Sequence, residues 1–468
     1  MITLKQIYTL LFLLGIFFIP FNEFDGLSFL GEYKDEAASY FFLLGFGVAI
    51  TENVLAKKIY FPYKNPLIVI LILFILWTFL STMINYGTVS TSFYKQTSGI
   101  SRYIRQTISL LISAGCFTFL FWNVIKDLSI VKSIRLIRKV ILYSFIFVSV
   151  YGFIEIAIVF FGMGFLKPVL SLFEFFPFVN NSLHTGHRVG ISSVTYEIPA
   201  LGNYLIFVTP WMLSYIFTEK KVMRFAPITI ILILTFFSDA RAALIVISMQ
   251  LFLFLLVLLH DERFRLPTIN ILKIGAVAVF AILMIKGNAI INTAEEKLDR
   301  INFSKNLTQS ISNKSRFGMQ YAALEVFKEN PVCGVGFGQG AYHMVPHYPY
   351  WATANNWEYS YMYKNQQYKS FPPQYNMYTR LLAEAGIVGT ILFTILVALP
   401  IYYSLLLWTK VSFRNKYVGV ILLLSFIGFA VNWLQIDFFR QYGFWLCLAL
   451  LVKALIDFKN KSTTFGTY

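Results

Sequence analysis

Charge is scarce in this chain of 468 residues, of which Asp, Glu, Lys and Arg make up 13%. An ordinary soluble domain carries about 25%. With 57% apolar residues and a mean hydropathy of +0.65, that deficit excludes a soluble globular class. Cysteine is scarcer, at 3 residues. Cys116 and Cys447 fall in apolar runs and Cys333 stands alone, so neither a disulfide framework nor a metal-ligand spacing is present. The 5 histidines form no HExxH pattern, and neither metal nor cofactor is expected. The short alternating segments of a β-barrel are missing as well. The first apolar run, about 7–21, lacks a small-x-small cleavage site and reads as a retained helix.

Long apolar runs are what the chain has instead. Runs of about 18 or more residues recur, and a membrane helix needs about 20. Twelve spans are expected, near 7–21, 37–56, 66–84, 104–125, 140–162, 197–218, 225–238, 241–260, 269–285, 386–408, 417–434 and 442–457. The fold class is therefore an all-α polytopic membrane protein. It divides into spans one to nine (1–285), a polar loop (286–385) and spans ten to twelve (386–468).

The net charge of +16 is scattered between spans and forms no basic domain, so nucleic acid is not an expected partner. Lys57, Lys58 and Lys64 follow span two. Lys126, Lys132, Arg135, Arg138 and Lys139 follow span four. Lys220, Lys221, Arg224, Arg263, Arg265, Lys410, Arg414, Lys416, Lys459 and Lys461 complete the set. All fall on one side if spans alternate, and the positive-inside rule makes that side cytoplasmic. Both termini are then cytoplasmic, and the 286–385 loop faces outward. The acidic loop at 22–36 agrees.

Several arginines lie on the outer side against this bias: Arg102, Arg105, Arg188, Arg241, Arg316, Arg380 and Arg440. A guanidinium fork binds phosphate bidentately and stays charged, so a ring of them suits a pyrophosphate held at the membrane surface. Arginines at span ends also snorkel to lipid head groups. Arg241 follows Ser238-Asp239-Ala240 in a tight turn and opens a helix, whose N-terminus attracts anions; pairing with Asp239 is the structural alternative. Arg316 is expected to open a second helix, capped by Ser315. That helix carries an apolar stripe at Phe317, Tyr321, Leu324 and Phe327 and stops at Asn330-Pro331 and Gly334. Glu197 begins span six, where an acid is costly and hence a functional candidate. It either accepts a proton from an acceptor hydroxyl or holds an arginine.

Gly334, Gly336, Gly338 and Gly340 alternate without a preceding strand and read as a flexible turn rather than a nucleotide loop. His184, His187, His343 and His347 face outward, where either general-base work or surface hydrogen bonding fits. The dense Tyr and Trp of 342–378 suit sugar stacking and a membrane interface equally.

Four pieces together resemble the superfamily of O-antigen polymerases (Wzy-type) and O-antigen ligases. They are Ser192–Tyr204 with Glu197, Ser238-Asp239-Ala240-Arg241, the run from Arg316 through Asn330-Pro331 to Gly338, and Tyr375-Asn376 through Gly389. The second piece has two residues between its Ser and Arg. The resemblance implies a GT-C-like, metal-independent glycosyltransferase of the bacterial inner membrane. It would act on undecaprenyl-pyrophosphate-linked oligosaccharides as donor and acceptor, with a chain-length regulator as a further partner. Arg316, Arg241 and Glu197 then become the candidate catalytic residues. Arg188, Arg440, Arg102 and Arg105 become the candidate pyrophosphate ligands. Many ligases have His-Asn where this chain has Tyr375-Asn376, a departure that favours polymerase over ligase. A lipid-glycan flippase is the alternative from another class; no internal repeat supports it.

Overall fold

A computed structural model of the protein describes residues 3–179, 190–270, 272–273, 310–410 and 416–464. The described helices are α1 (Leu4–Phe17), α2 (Ala37–Leu55), α3 (Pro66–Ile84), α4 (Gly99–Ile125), α5 (Ile130–Phe161), α6 (Ile198–Thr218), α7 (Ala226–Ser238), α8 (Arg241–His260), α9 (Ile311–Glu329), α10 (Met377–Lys410), α11 (Lys416–Asn432) and α12 (Tyr442–Thr464). Shorter helical turns join them. The described β-structure is one two-residue hairpin, Phe93–Tyr94 with Thr97–Ser98. Helices α2, α3, α4, α5, α6, α8 and α10 are long and apolar enough to cross a membrane; α1, α7 and α11 are shorter apolar helices. The protein is an all-α polytopic membrane protein. Each expected span coincides with a helix except 269–285, most of which lies outside the described residues.

Local sequence explains where the boundaries moved. Helix α1 starts three residues early because Thr3 and Gln6 form a reciprocal capping box, which satisfies backbone donors ahead of the apolar run. Helix α5 starts ten residues early. Ser129 caps it, and Lys132, Arg135, Arg138 and Lys139, expected in a loop, are good helix formers. Helix α10 starts nine residues before its expected span. It bends at Gly386 (φ 66, ψ −168), where the Val332 carbonyl occupies the space a Cβ would need.

Helix α11 is apolar on every side and buried along nearly its whole length, as a central helix must be. It packs on α6, α8, α10 and α12, while α1 pairs with α2 and α10 also packs on α3. The turns gather at two ends. At the basic end Lys5 meets Asp127 at 2.6 Å and Lys416 meets Asp261 at 3.9 Å. There Arg138, buried, donates to Ser214 and Thr218. The loops 85–98 and 433–441 meet the 310–376 region at the opposite end, the loop end, and loop 18–36 joins them through Arg440.

Helix α9 and the segments after it have their own small core: Met319, Ala322, Ala323, Val326, Val335, Met344, Tyr348, Ala352, Tyr359, Tyr363 and Ala383. The buried stripe of α9 is thus not the expected one. Tyr321 and Leu324 are exposed, at 44% and 38%, because small residues at 322 and 323 let the helix approach its neighbours more closely than the aromatics would. Helix α9 also begins five residues before Arg316. Ser315 lies inside it, accepting from Asn356 at 3.0 Å, and does not cap it.

Candidate functional site

One segment, 371–376, with a left-handed turn at Tyr375 (φ 58), organises the loop end. Phe371 lies under the Arg102 guanidinium, 4.4 Å from ring centroid to Cζ. Tyr375 lies under that of Arg316 at 4.7 Å. Between them Gln374 donates its backbone N–H to Asp437 Oδ2 at 2.7 Å and its side-chain amide to Glu384 Oε1 at 3.0 Å. Asn376 ends the segment, accepting from the Tyr378 and Thr379 N–H groups and so starting α10.

The glycine run is a rigid cradle, not a flexible turn. Gly334, Gly336 and Gly338 have φ of 67, 102 and 78, a region glycine enters without cost. That geometry turns successive N–H groups onto α10. Val335 and Gly336 donate to the Ala383 and Glu384 carbonyls, each at 2.9 Å. Gly338 and Gly340 donate to the two Glu384 carboxylate oxygens, at 2.9 and 3.3 Å. The far side of the cradle rests on the end of α3. There Ser81 donates to the Cys333 carbonyl, Asn85 to that of Gly334, and the Phe337 N–H reaches Thr82 Oγ1.

Glu384 (2% exposed) pairs with Arg380 (5% exposed) at 3.1 Å, one helical turn apart. Arg380 also donates to Gln106 Oε1 at 2.7 Å and to the Asp437 carbonyl. Beside it, Arg440 donates to Glu36 and to the Glu32 carbonyl, and Tyr442 donates to the same Glu36 carboxylate. Glu32 accepts from Gln106 and Ser109 and lies 3.9 Å from Arg102 and 3.8 Å from Arg440. Burial acts to raise the Glu32 pKa, but Arg440, Arg102 and Arg380 outweigh it and hold the carboxyl below its usual range. Asp437 is different. Burial pushes its carboxyl up, and Arg380 offsets this only in part.

The structure therefore brings Arg102 and Arg440 together with Arg380, around four carboxylates. Arg380 commits its donors inside the protein, and Arg440 commits Nη1, its Nε being buried without a hydrogen bond. The remaining candidates divide by how open they are. Arg102 has its weak 3.9 Å contact with Glu32 and no hydrogen bond among the described residues, and its Nε is buried without a partner. Arg105, exposed, donates to Thr97 at 3.0 Å. Arg316 touches Ser312 at 3.4 Å and Tyr375, and has no ion pair among the described residues. It sits in the second turn of α9, so it does not lie at the positive helix end as expected.

Glu197 is the N-cap residue of α6 and accepts from Tyr196 at 2.6 Å. Tyr196 lies within electrostatic reach of Arg440 and Glu36, which places Glu197 at the edge of the cluster. Arg241 opens α8 as expected, after Asp239 with φ 57. Its turn packs on the start of α6, where Gly202 faces Ala240 and Ala243. Arg188, His184 and His187 lie outside the described residues. His347 meets Glu329 at 3.4 Å, and His343 is pushed to a lower pKa by burial. Among the described residues no group of three or more His, Cys, Asp or Glu is placed to hold a metal ion.

Arg380, Glu384 and Asp437 are central here yet stood outside the candidate set. Arg380 and Glu384 are spaced four apart in a helix, a pairing geometry visible in sequence. Asp437 is a lone acid between two apolar spans, which the cost of charge near a membrane marks out.

The arrangement offers open guanidinium forks stacked on aromatic rings, with a carboxylate between them, at one end of a membrane bundle. That is chemistry for a phosphorylated group at a surface, with a proton acceptor nearby. Among curated proteins none matches the chain. Residues 226–394, from the start of α7 through the cradle to the middle of α10, are similar to the family described as O-antigen ligase, whose model they match.

Proposed function

We propose that the protein is a polysaccharide polymerase of the bacterial inner membrane. It transfers a growing glycan from undecaprenyl pyrophosphate onto the non-reducing end of a new lipid-linked repeat unit. The loop end faces the periplasm in this reading, both termini are cytoplasmic, and a chain-length regulator is a further partner. The acceptor hydroxyl attacks the anomeric carbon, and the pyrophosphate departs with the bonding electrons.

The observation that carries the reading is Arg316. Its guanidinium lies on Tyr375 with no carboxylate paired to it among the described residues, inside the segment similar to O-antigen ligase. Stacking fixes the fork's plane and leaves its outer N–H groups for an anion. In this reading Arg241 acts with Arg316 on the leaving group, and Arg102, Arg105 and Arg188 help hold the pyrophosphate. Arg440 orders Glu32 and Glu36 behind them. Glu197 lies at the acceptor edge.

The description of the matched family favours ligase as the second reading. Tyr375, where many ligases are expected to have histidine, supports polymerase. Burial pushes its phenol up, so it does not act as a base near neutral pH. The test is the glycan made by cells that lack the protein. Shortened chains support polymerase; chains of normal length that fail to reach their final acceptor support ligase and refute polymerase.

A further inference from the structure

Transfer to a hydroxyl requires a proton acceptor, and Glu384, Glu36, Glu32, Glu197 and Asp437 are described carboxylates in or at the edge of the arginine cluster. Glu384 is occupied by Gly338, Gly340, Gln374 and Arg380. Glu36 is occupied by Arg440 and Tyr442. Glu32 receives Gln106 and Ser109 and is held acidic by its arginines. Each has both carboxylate oxygens already engaged by donors. Glu197 accepts from Tyr196 and stands at the cluster's edge.

Asp437 differs from the first three in having one oxygen without a hydrogen bond among the described residues, and from Glu197 in its anchor, which is a backbone N–H and not a neighbouring side chain. One oxygen, Oδ2, is pinned by the Gln374 N–H at 2.7 Å. The other, Oδ1, receives no hydrogen bond and no ion pair among the described residues and is not sealed from solvent. A carboxylate anchored by one oxygen and open at the other has a fixed direction of approach. It hangs from the same segment whose rings carry Arg102 and Arg316. The charged groups facing it are Arg380 and Glu384 from α10 and Arg102 from α4, with the Tyr375 phenol beside it. Arg380 contacts the backbone carbonyl of Asp437 and not its carboxylate, so the cation is near without occupying the lone pairs.

We infer that Asp437 is the general base of glycan transfer, taking the acceptor hydroxyl's proton on Oδ1. The inference rests on the transfer reading above. In the step, the acceptor oxygen forms the new bond to the anomeric carbon and its proton passes to Asp437. The anomeric carbon–phosphate oxygen bond breaks, and its electron pair leaves with undecaprenyl pyrophosphate. Burial of Asp437 sets the acid limb of the reaction above the ordinary carboxylate range, since the base works only when ionised.

The test uses full-length protein in lipid nanodiscs with the lipid-pyrophosphate-linked repeat unit from the strain that encodes it. Asp437→Asn keeps an oxygen for the Gln374 N–H and removes the basicity. It should lower kcat by about a hundredfold or more, leave KM within about threefold, and flatten the acid limb of the pH profile. Asp437→Glu, which keeps a carboxylate, should restore part of the rate and an acid limb. A wild-type rate in Asp437→Asn, or an acid limb that disappears in Glu197→Gln and persists in Asp437→Asn, overturns the role of Asp437 and leaves the transfer reading standing. If Asp437→Asn unfolds, Asp437→Glu decides: a folded protein with a reduced rate and a shifted acid limb supports the role, and a wild-type rate with an unchanged pH profile overturns it. Wild-type protein that binds the donor and forms no longer glycan overturns the transfer reading, and this role with it.

Discussion

Replacing Glu384 by Gln should loosen the glycine cradle without disturbing the membrane core. Each carboxylate oxygen accepts two donors: Oε2 from the Gly338 N–H and Arg380, Oε1 from the Gly340 N–H and Gln374. An amide keeps one oxygen and turns an NH₂ toward the other pair of donors. Two hydrogen bonds are lost, and Arg380 is left as a buried charge facing a neutral group. Breaking a buried ion pair from one side costs about 3–5 kcal/mol. If that cost falls on local opening of the cradle, amide exchange at 334–340 should accelerate by about 150-fold or more, at about 1.4 kcal/mol per decade. Hydrogen exchange read by mass spectrometry measures this directly, with α11 peptides as the internal reference. The companion variant Arg380→Met/Glu384→Leu should exchange more slowly than Glu384→Gln, because no charge is stranded. Unchanged exchange at 334–340 in Glu384→Gln would refute the view that this carboxylate holds the cradle.

Three further outcomes are expected. Arg316→Ala should lower glycan transfer about a hundredfold or more with thermal stability close to wild type, and Arg316→Lys should recover little because an ammonium lacks the fork; a gel ladder of glycan products with purified protein reads both. Gly386→Ala should reduce the yield of folded protein, because φ 66 and the Val332 carbonyl both oppose a side chain there; strain of this kind costs about 1–3 kcal/mol, and size-exclusion profiles of detergent extracts check it. The Glu32 contribution to stability is present above the ordinary carboxylate range and is lost as pH falls through its lowered native pKa. Arg440→Ala removes one of the cations that lower it, so acid destabilisation should begin at higher pH, as measured by thermal unfolding across pH.

The helical spans were legible because apolar runs of that length have one use. Boundaries were less so, and for local reasons. The capping box at Thr3 and Gln6 and the cap at Ser129 lie in polar sequence, where hydropathy carries no information. The early start of α9 moved Arg316 into the second turn and exchanged its buried face. Arg102, Arg316 and Glu197 stood out in sequence because charged residues at span edges are costly and few. Which arginines are open and which are committed was not legible. That depends on Glu32, Glu36 and Asp437, brought from distant loops by the packing of helices. The glycine run was read as flexible because positive φ looks alike in mobile and rigid turns. Only the partner of each N–H separates the two.

The cradle's contacts also constrain how the chain matures in the membrane. Ser81 waits for Cys333 and Glu384 across separations of 252 and 303 residues, and Gln106 waits for Arg380 across 274. Asp437, which receives the Gln374 N–H, emerges later still. During synthesis Ser81 and Gln106 are therefore in place long before their partners exist, and long-range closures of this kind are slow. Until the 433–441 loop is made, this end lacks both Asp437 for Gln374 and Arg440 for Glu36, so the arginine cluster closes only after the rest of its residues are already waiting.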